Sequence, residues 1–258
     1  MRLSPLLLAL LLSCNGPFDS ETDGGCDTDT GADTDTGSTW NQPEGGNIVL
    51  EMFDGVRVNT IYRPASQPGR PSVLMMACSP VGTAQYQWPP RLIEDLVARD
   101  WAVLIPEMRG CGRSEGDWQP LLGPVGINDI DTFATKLEQD EFGPLSIITG
   151  LYIDGAVVAY TQKADRGELP ISPVAIGLLT SYSIQTESLT PLSSLDTRPI
   201  LFQYLFANKA WPNEKRRENP GSWEFIEYDT NLLDRGLFVQ NPNAADDLVD
   251  FLDRSIPE

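Results

Sequence analysis

The sequence predicts a three-layer α/β/α fold around a mostly parallel sheet of about eight strands, beginning with an antiparallel hairpin. Short apolar runs alternate along the chain with segments of helical periodicity. This is the pattern expected when helices connect parallel strands that are buried on both faces. The dipeptide Asp54-Gly55 lies between two strand-like segments and favours a tight hairpin turn. Crossovers between the later strands are expected to be right-handed.

Each predicted element has its own sequence pattern. The strands are predicted from apolar and β-branched runs, at 47–53 and 56–62 for the hairpin and then at 73–77, 101–106, 146–149, 174–179, 199–205 and 223–228. The first helix is predicted at 91–99, where Leu92, Ile93, Leu96 and Val97 fall on one side. Further helices are predicted from apolar spacing or from Ala and Val content, at 127–140, 155–163 and 243–254.

The beginning of the chain resembles a bacterial lipoprotein signal. The apolar run Leu6–Leu12 is too short to span a membrane as a helix, which needs about 20 apolar residues, and it has the length of a secretory signal core. The Leu-Leu-Ser-Cys sequence ending at Cys14 is similar to a lipobox. By this resemblance, residues 1–13 are a signal peptide, and Cys14 is acylated and anchors the protein in a membrane. An ordinary signal peptide with an incidental cysteine is the alternative.

The resemblance to a lipoprotein signal also predicts that the protein is located in the cell envelope. Asn15 follows the cysteine where the inner-membrane retention signal of enteric bacteria has aspartate. The outer membrane is therefore favoured over the inner membrane.

Residues 14–46 are predicted to be a disordered acidic tether that starts at the acylated cysteine. The stretch 15–46 has eight acidic side chains, no Lys or Arg, and the near-repeat DTDTG at 27–31 and 33–37. Such a segment buries too little apolar surface to offset its ordering entropy. Calcium binding is the alternative for the repeat, although the distal bidentate glutamate of an EF-hand loop is missing.

Residues 47–258 are predicted to form one domain with a full-sized core. The chain has 18 basic and 37 acidic residues, and one basic and eight acidic residues lie upstream of this domain. The domain therefore has 17 basic and 29 acidic residues and a net charge of −12. This charge makes nucleic acid an unfavourable partner.

The chain contains no histidine. Its absence removes the side chain that titrates near neutral pH, and it excludes His-ligated metal sites and every Ser-His or Cys-His nucleophile pair. The cysteines show no metal-binding spacing. We therefore predict no metal and no cofactor.

The segment 101–116, WAVLIPEMRGCGRSEG, resembles part of the α/β-hydrolase superfamily in which the fourth strand runs into a D-x-R-G-x-G-x-S loop. The surrounding order of elements is similar too, so the resemblance covers nearly all of 47–258. It is closest to the serine-aminopeptidase-like and small-esterase branches. It implies a minimal cap, because only residues 180–198 separate the two strands between which many relatives insert a cap domain.

The positions that match the family's catalytic triad all carry other residues. Tyr152 stands where the nucleophilic serine belongs in the strand-to-helix elbow, and Asp154 stands where that elbow has a small residue. Asn208 matches the acid and Arg235 matches the histidine. The loop aspartate is replaced by Glu107.

The resemblance also marks a crevice at the carboxyl ends of the strands, the usual ligand site of such sheets. Its candidate lining residues are Cys78, Ser79, Glu107, Cys111 and Asp154. The segment that contains Cys78 and Ser79 replaces the family's oxyanion loop. Cys78 and Cys111 are either a disulfide or buried thiols, since an exported compartment permits disulfides. A carboxylate pair for acid–base chemistry among Glu107, Asp154 and Asp234 is a further alternative.

These replacements predict a protein that does not catalyse acyl transfer. A tyrosine nucleophile would need a base to take its proton, and Arg235 cannot return that proton because arginine stays charged. We therefore interpret Tyr152 as a ring that fills the pocket used for catalysis in the family. We expect a lipid-anchored pseudoenzyme that binds a small molecule or a protein in the crevice. The alternatives are a divergent hydrolase acting on esters or peptides and a purely structural envelope protein.

Overall fold

The computed structural model describes residues 40–77, 87–118, 121, 123–150, 153–179, 198–205, 223–228 and 235–257. The strands are β1 (Gly46–Glu51), β2 (Arg57–Arg63), β3 (Ser72–Met76), β4 (Ala102–Pro106), β5 (Leu145–Thr149), β6 (Ala175–Leu179), β7 (Ile200–Leu205) and β8 (Trp223–Tyr228). The helices are α1 (Pro90–Ala98), α2 (Pro124–Gln139), α3 (Asp154–Asp165), α4 (Arg235–Gln240) and α5 (Asn243–Ser255).

Within these residues the strands form a single eight-stranded sheet in the order β1-β2-β4-β3-β5-β6-β7-β8. β1 pairs with β2 and β2 with β4 in antiparallel fashion, and all other neighbours are parallel. Helices cover both faces of the sheet. The predicted fold class and the opening hairpin are confirmed.

The two faces of the sheet explain why the central strands are continuously apolar. On β3, Leu74 and Met76 face a core formed with α2 and α3, while Val73 and Met75 face a second core formed with α1 and α5. Every residue of β3, β4, β5 and β6 is buried. A strand covered on both faces has no solvent-facing positions to alternate with apolar ones.

The hairpin turns at the dipeptide that predicted it. Gly55 donates its N–H to the Met52 carbonyl at 2.9 Å, and Met52 donates to the Val56 carbonyl at 2.8 Å. Gly55 has a φ of +82°, a left-handed conformation that glycine adopts without steric strain.

The helices differ from the prediction mainly in the start of α2 and in the presence of α4. α2 begins at Pro124, upstream of the expected 127, because proline suits the first turn of a helix even where no apolar spacing marks it. The six-residue α4 was not predicted, since it is too short to display a helical period.

Trp40 begins the described part of the chain and packs on the domain upstream of Asn47. Its ring meets that of Phe142 edge-on with centroids 6.2 Å apart, and its Nε1 donates to the Asp140 carbonyl at 3.4 Å. Gln42 donates its side-chain amide to the Ala65 carbonyl at 3.0 Å. No helix in the described ranges is long and apolar enough to cross a membrane.

Candidate functional site

The carboxyl ends of β3, β4 and β5 meet at one edge of the sheet. Ala77, after β3, bridges Glu107, after β4, and Gly150, after β5, donates its N–H to the Met76 carbonyl at 2.7 Å. The segments that follow these three strands therefore start side by side, as in the crevice of other open parallel sheets.

Several residues predicted for this site lie outside the described residues. They are Cys78, Ser79, Tyr152 and Asn208. Arg235 is the first residue of α4, but its side chain is outside the description. Phe238 of α4 packs against Trp88, just before α1, with ring centroids 6.2 Å apart. The predicted cap segment, 180–198, is also outside the described residues except for Arg198.

Glu107 has a fully buried carboxylate at the end of β4. Its Oε2 accepts the Arg113 backbone N–H at 2.9 Å, and the Arg113 Nε lies 3.5 Å from the same oxygen. Its Oε1 is buried and has no hydrogen-bond partner among the described residues. A buried carboxylate oxygen without a hydrogen-bond partner lowers the stability of the fold. Either a bound donor satisfies Oε1, or the folded protein tolerates this loss of stability.

Gly112 lies against this carboxylate and has a φ of +59°. A Cβ at this position would lie 2.8 Å from the carboxyl carbon of Glu107, closer than van der Waals contact allows. The second glycine of the RGCG segment is thus required both by its backbone conformation and by the buried glutamate.

The loop that carries Glu107 is fixed to β2. The Glu107 N–H donates to the Asn59 carbonyl at 2.7 Å, and the Asn59 side chain donates to the Arg113 carbonyl at 2.7 Å. Ser114 accepts the Asn59 backbone N–H at 2.9 Å through its hydroxyl, which itself donates to the Glu107 carbonyl. The position of Glu107 is therefore set by a rigid loop rather than by packing alone.

Arg109 binds two aspartates at the base of the same loop. Its Nε and Nη2 each donate to Asp129 of α2 at 2.6 Å, and its Nη1 and Nη2 donate to Asp54 in the hairpin turn at 2.8 and 3.1 Å. Its guanidinium also lies 5.8 Å from the ring centroid of Phe53. Arg109 thus joins the hairpin, the loop and α2 and has a structural role.

Burial and hydrogen bonding shift the pKa values of Arg109 and its two aspartates. Hydrogen bonds from Arg109 lower the pKa of Asp54. Burial raises the pKa of Asp129, which is fully inaccessible to solvent, while Arg109 acts in the opposite direction. Hydrogen bonds with Asp129 raise the pKa of Arg109, so the guanidinium stays charged. Asp129 is thus a buried partner of Arg109 and does not lie on a solvated face of α2.

Cys111 is 1% exposed and is disulfide-bonded. Of the two predicted alternatives for this residue, the buried free thiol is excluded, and with it a thiol nucleophile at this position. Its partner lies outside the described residues, so pairing with Cys78 stays a prediction at this point.

Asp154 is the first residue of α3 and is 1% exposed. A carboxylate there is favoured by the partial positive charge of the helix amino terminus. It makes contacts of its own, but no hydrogen bond joins it to Glu107. The described contacts thus give no carboxylate pair for acid–base chemistry. Where the chain is described, no three acidic or cysteine side chains come together as a metal site would need.

A buried polar network near the carboxyl ends of β7 and β8 was not predicted. The Gln203 amide donates to the Tyr228 hydroxyl and to the Ala244 carbonyl, both at 2.9 Å, and Tyr228 donates to Asp247 at 2.6 Å. In the part of the chain that the structure describes, the Gln203 Oε1 is buried without a hydrogen-bond partner. Burial raises the pKa of Tyr228. The glutamine within the otherwise apolar strand ILFQYL was the only available signal for this network.

A groove of about 240 Å³ lies at the opposite, amino-terminal edge of the sheet. Ser72 and Leu145, the first residues of β3 and β5, line it together with Glu138 and Ile171. Its position separates it from the crevice that the sequence marked.

Comparison with known proteins finds neither a matching family nor a matching curated protein by sequence. Solved structures do match. An esterase from Pyrococcus furiosus, Pf2001, superposes with a TM-score of 0.62 at 12% identity, over 82% of this chain and 92% of that one. A CIB-like hydrolase from Thermoplasma acidophilum gives 0.62 at 17% identity, over 82% and 99%. An acylaminoacyl peptidase from Pyrococcus horikoshii gives 0.59 at 10% identity, over 84% and 42%. The chain therefore has the α/β-hydrolase fold.

Proposed function

We propose that this protein is a lipid-anchored pseudoenzyme of the cell envelope, which binds a small molecule or a protein at the carboxyl-edge crevice without acyl transfer. One observation carries the proposal: a chain with the fold of hydrolases contains no histidine. Acyl transfer by a serine nucleophile needs a group that accepts a proton and returns it to the leaving group near neutral pH. Removing triad members from an enzyme of this kind costs on the order of 10⁴ to 10⁶ in rate.

The described residues near the crevice offer at most one substitute for that group. Cys111 is consumed in a disulfide. Arg109 holds two carboxylates and stays charged. Glu107 is fully buried beneath the loop 107–116. Its unpartnered Oε1 is nevertheless an acceptor near the crevice, and it is the observation that favours the second candidate, a divergent hydrolase.

An esterase assay on the full-length protein in detergent micelles tests the proposal. With short-chain p-nitrophenyl esters we expect hydrolysis no faster than the background from surface nucleophiles, and we expect no labelling by a fluorophosphonate probe. Tyr152→Phe should behave as the parent protein does. The matched control is Tyr204→Phe, which removes a hydroxyl that donates to Glu227 on β8.

Turnover above background that is lost in Tyr152→Phe and kept in Tyr204→Phe would reject the pseudoenzyme and support the hydrolase. If no turnover occurs and a panel of acyl and aminoacyl ligands leaves the melting temperature unchanged, the purely structural alternative is favoured.

The lipid anchor makes a separate prediction. Cys14→Ala should move the protein from the membrane fraction to the soluble fraction and abolish labelling by a palmitate analogue, because one residue carries all the acyl chains. Cys26→Ala is the control and should remain in the membrane fraction. Retention of Cys14→Ala with the membrane, in the parent's amount, would contradict acylation.

A further inference from the structure

β1 is an edge strand of the sheet, with β2 on one side and no described strand on the other. We propose that this free edge pairs with β1 of a second copy of the chain, in antiparallel fashion about a two-fold axis, so that the sheets of the two copies become continuous. Three features of the edge support this partner: the direction of its backbone groups, its scarcity of charge, and the fit of its side chains to their own copy.

Val49, in the middle of β1, directs its backbone groups to the free edge. Its opposite residue on β2 is Asn59. The Asn59 carbonyl accepts the Glu107 N–H at 2.7 Å, and the Asn59 N–H donates to the Ser114 hydroxyl at 2.9 Å, so both groups are used on the side of β2 that faces away from β1. Val49 and Asn59 are therefore a non-hydrogen-bonded pair of the antiparallel ladder, and the Val49 N–H and carbonyl point away from β2.

The alternation of an antiparallel ladder gives Asn47 and Glu51 the same direction as Val49. Just after the strand, Met52 donates its N–H to the Val56 carbonyl at 2.8 Å, which agrees with a hydrogen-bonded pair next to the non-hydrogen-bonded one at Glu51. In the described part of the chain, no hydrogen bond from outside the sheet engages the backbone of these three edge residues. The edge thus presents unused N–H and C=O groups to a partner strand.

β1 also lacks the features by which edge strands avoid pairing. Its sequence, GNIVLE, has no proline, lysine or arginine, and its only charge is on its last residue. β8, at the other edge, has two glutamates among its six residues. Charged side chains and prolines are common means of keeping an edge strand from pairing with another chain. Of the two edges, β1 is therefore the one suited to pairing.

The side chains at the edge fit a second copy in one register. When Val49 lies opposite its own copy in the second molecule, Asn47 lies opposite Glu51, and the amide donates a hydrogen bond to the carboxylate at each end of the pair. Val49 is 47% exposed in one copy, and its methyl groups are covered by those of the other. The two Glu51 carboxylates stand at opposite ends of the paired strands, so like charges do not meet.

The pairing sets the relative direction of the two copies. β1 is antiparallel to β2 and β2 is antiparallel to β4, so β1 runs in the same direction as β4. An antiparallel pair of β1 strands therefore turns the carboxyl ends of the central strands to opposite ends of the dimer. The two crevices do not face each other.

Cross-linking of the full-length protein in detergent micelles tests the pairing and its register. Residues of a hydrogen-bonded antiparallel pair have Cα atoms about 5.5 Å apart, within the range of roughly 4.4–6.8 Å that a disulfide spans. Val49→Cys should therefore form disulfide-linked dimers on mild oxidation. Asn47→Cys should form them only when mixed with Glu51→Cys, because the two copies of position 47 are about 13 Å apart along the strands.

Val239→Cys is the matched control for Val49→Cys. Val239 lies on α4 and is 66% exposed, so its side chain is more accessible than that of Val49. Two chains that merely share a micelle would link through either position. Dimers of Val239→Cys as abundant as those of Val49→Cys, or an absence of Val49→Cys dimers, would rule out the pairing.

Lysine variants give a second readout. Val49→Lys places two ammonium groups opposite each other and should raise the dissociation constant of the dimer about tenfold, as measured by sedimentation at physiological ionic strength. Val239→Lys should leave the dissociation constant unchanged. Both side chains are exposed, so both variants should keep the melting temperature of the parent protein. A parent protein that stays monomeric at every concentration, or a Val49→Lys dimer as tight as the parent's, would overturn the proposal.

Discussion

Asp129→Ala is expected to lower the free energy of unfolding by about 3–5 kcal/mol, because it leaves the buried guanidinium of Arg109 without its main counter-charge. Asp129 is fully buried, Arg109 is 3% exposed, and two hydrogen bonds of 2.6 Å join them. Chemical denaturation followed by tryptophan fluorescence measures the loss.

Asp54→Ala is the matched control for this change, because it removes the other carboxylate of the same cluster. The Asp54 side chain is 35% exposed, so water can replace its contact with Arg109 and the loss should be far smaller. The double variant Arg109→Met with Asp129→Leu should recover much of the stability lost in Asp129→Ala, since apolar pairs often replace buried ion pairs. Equal losses of unfolding free energy in Asp129→Ala and Asp54→Ala would show that burial of the carboxylate does not determine how strongly its pairing with Arg109 stabilises the fold.

Gly110→Ala is expected to destabilise the fold by about 3 kcal/mol or more, by adding steric overlap to backbone strain. Gly110 has a φ of +68°, and a Cβ there would lie 2.4 Å from the backbone nitrogen of Trp118. Neither atom can move without displacing the loop, which the bond from the Gly110 N–H to the Glu115 carbonyl closes at 2.9 Å.

Gly69→Ala separates the contribution of backbone strain from the contribution of steric overlap in Gly110→Ala. Gly69 has a similar φ of +76°, but nothing lies within 4 Å of its Cβ position. Its substitution should cost only the strain of a left-handed residue, about 1–2 kcal/mol. If thermal unfolding shows the same loss in both variants, the close approach of Trp118 contributes nothing.

The fold was predictable because its signals are local. A strand buried on both faces has to be continuously apolar, and an amphipathic helix such as α1 has to repeat its apolar residues with the helical period. The Asp54-Gly55 turn is specified by two adjacent residues. The contacts of Arg109 could not be predicted in the same way, because Asp54 and Asp129 are distant in sequence and only the folded chain brings them together.

The candidate site was less predictable for two physical reasons. The burial of Glu107 depends on Gly112, whose missing side chain leaves room for the carboxylate, and no periodicity marks such a relation. Gln203 interrupts an apolar strand, but its partners Tyr228 and Ala244 come from two later elements. The sequence did indicate which residues follow the carboxyl ends of successive strands, where ligands usually bind in such sheets.

The docking of Trp40 on Phe142 has a practical consequence. Phe142 precedes β5, so Trp40 lies at the edge of the sheet opposite to the carboxyl ends of its parallel strands. On a bead or sensor chip, a chain that begins at Trp40 and is attached through its amino terminus would be held at that edge, with the carboxyl ends of the strands facing the solution.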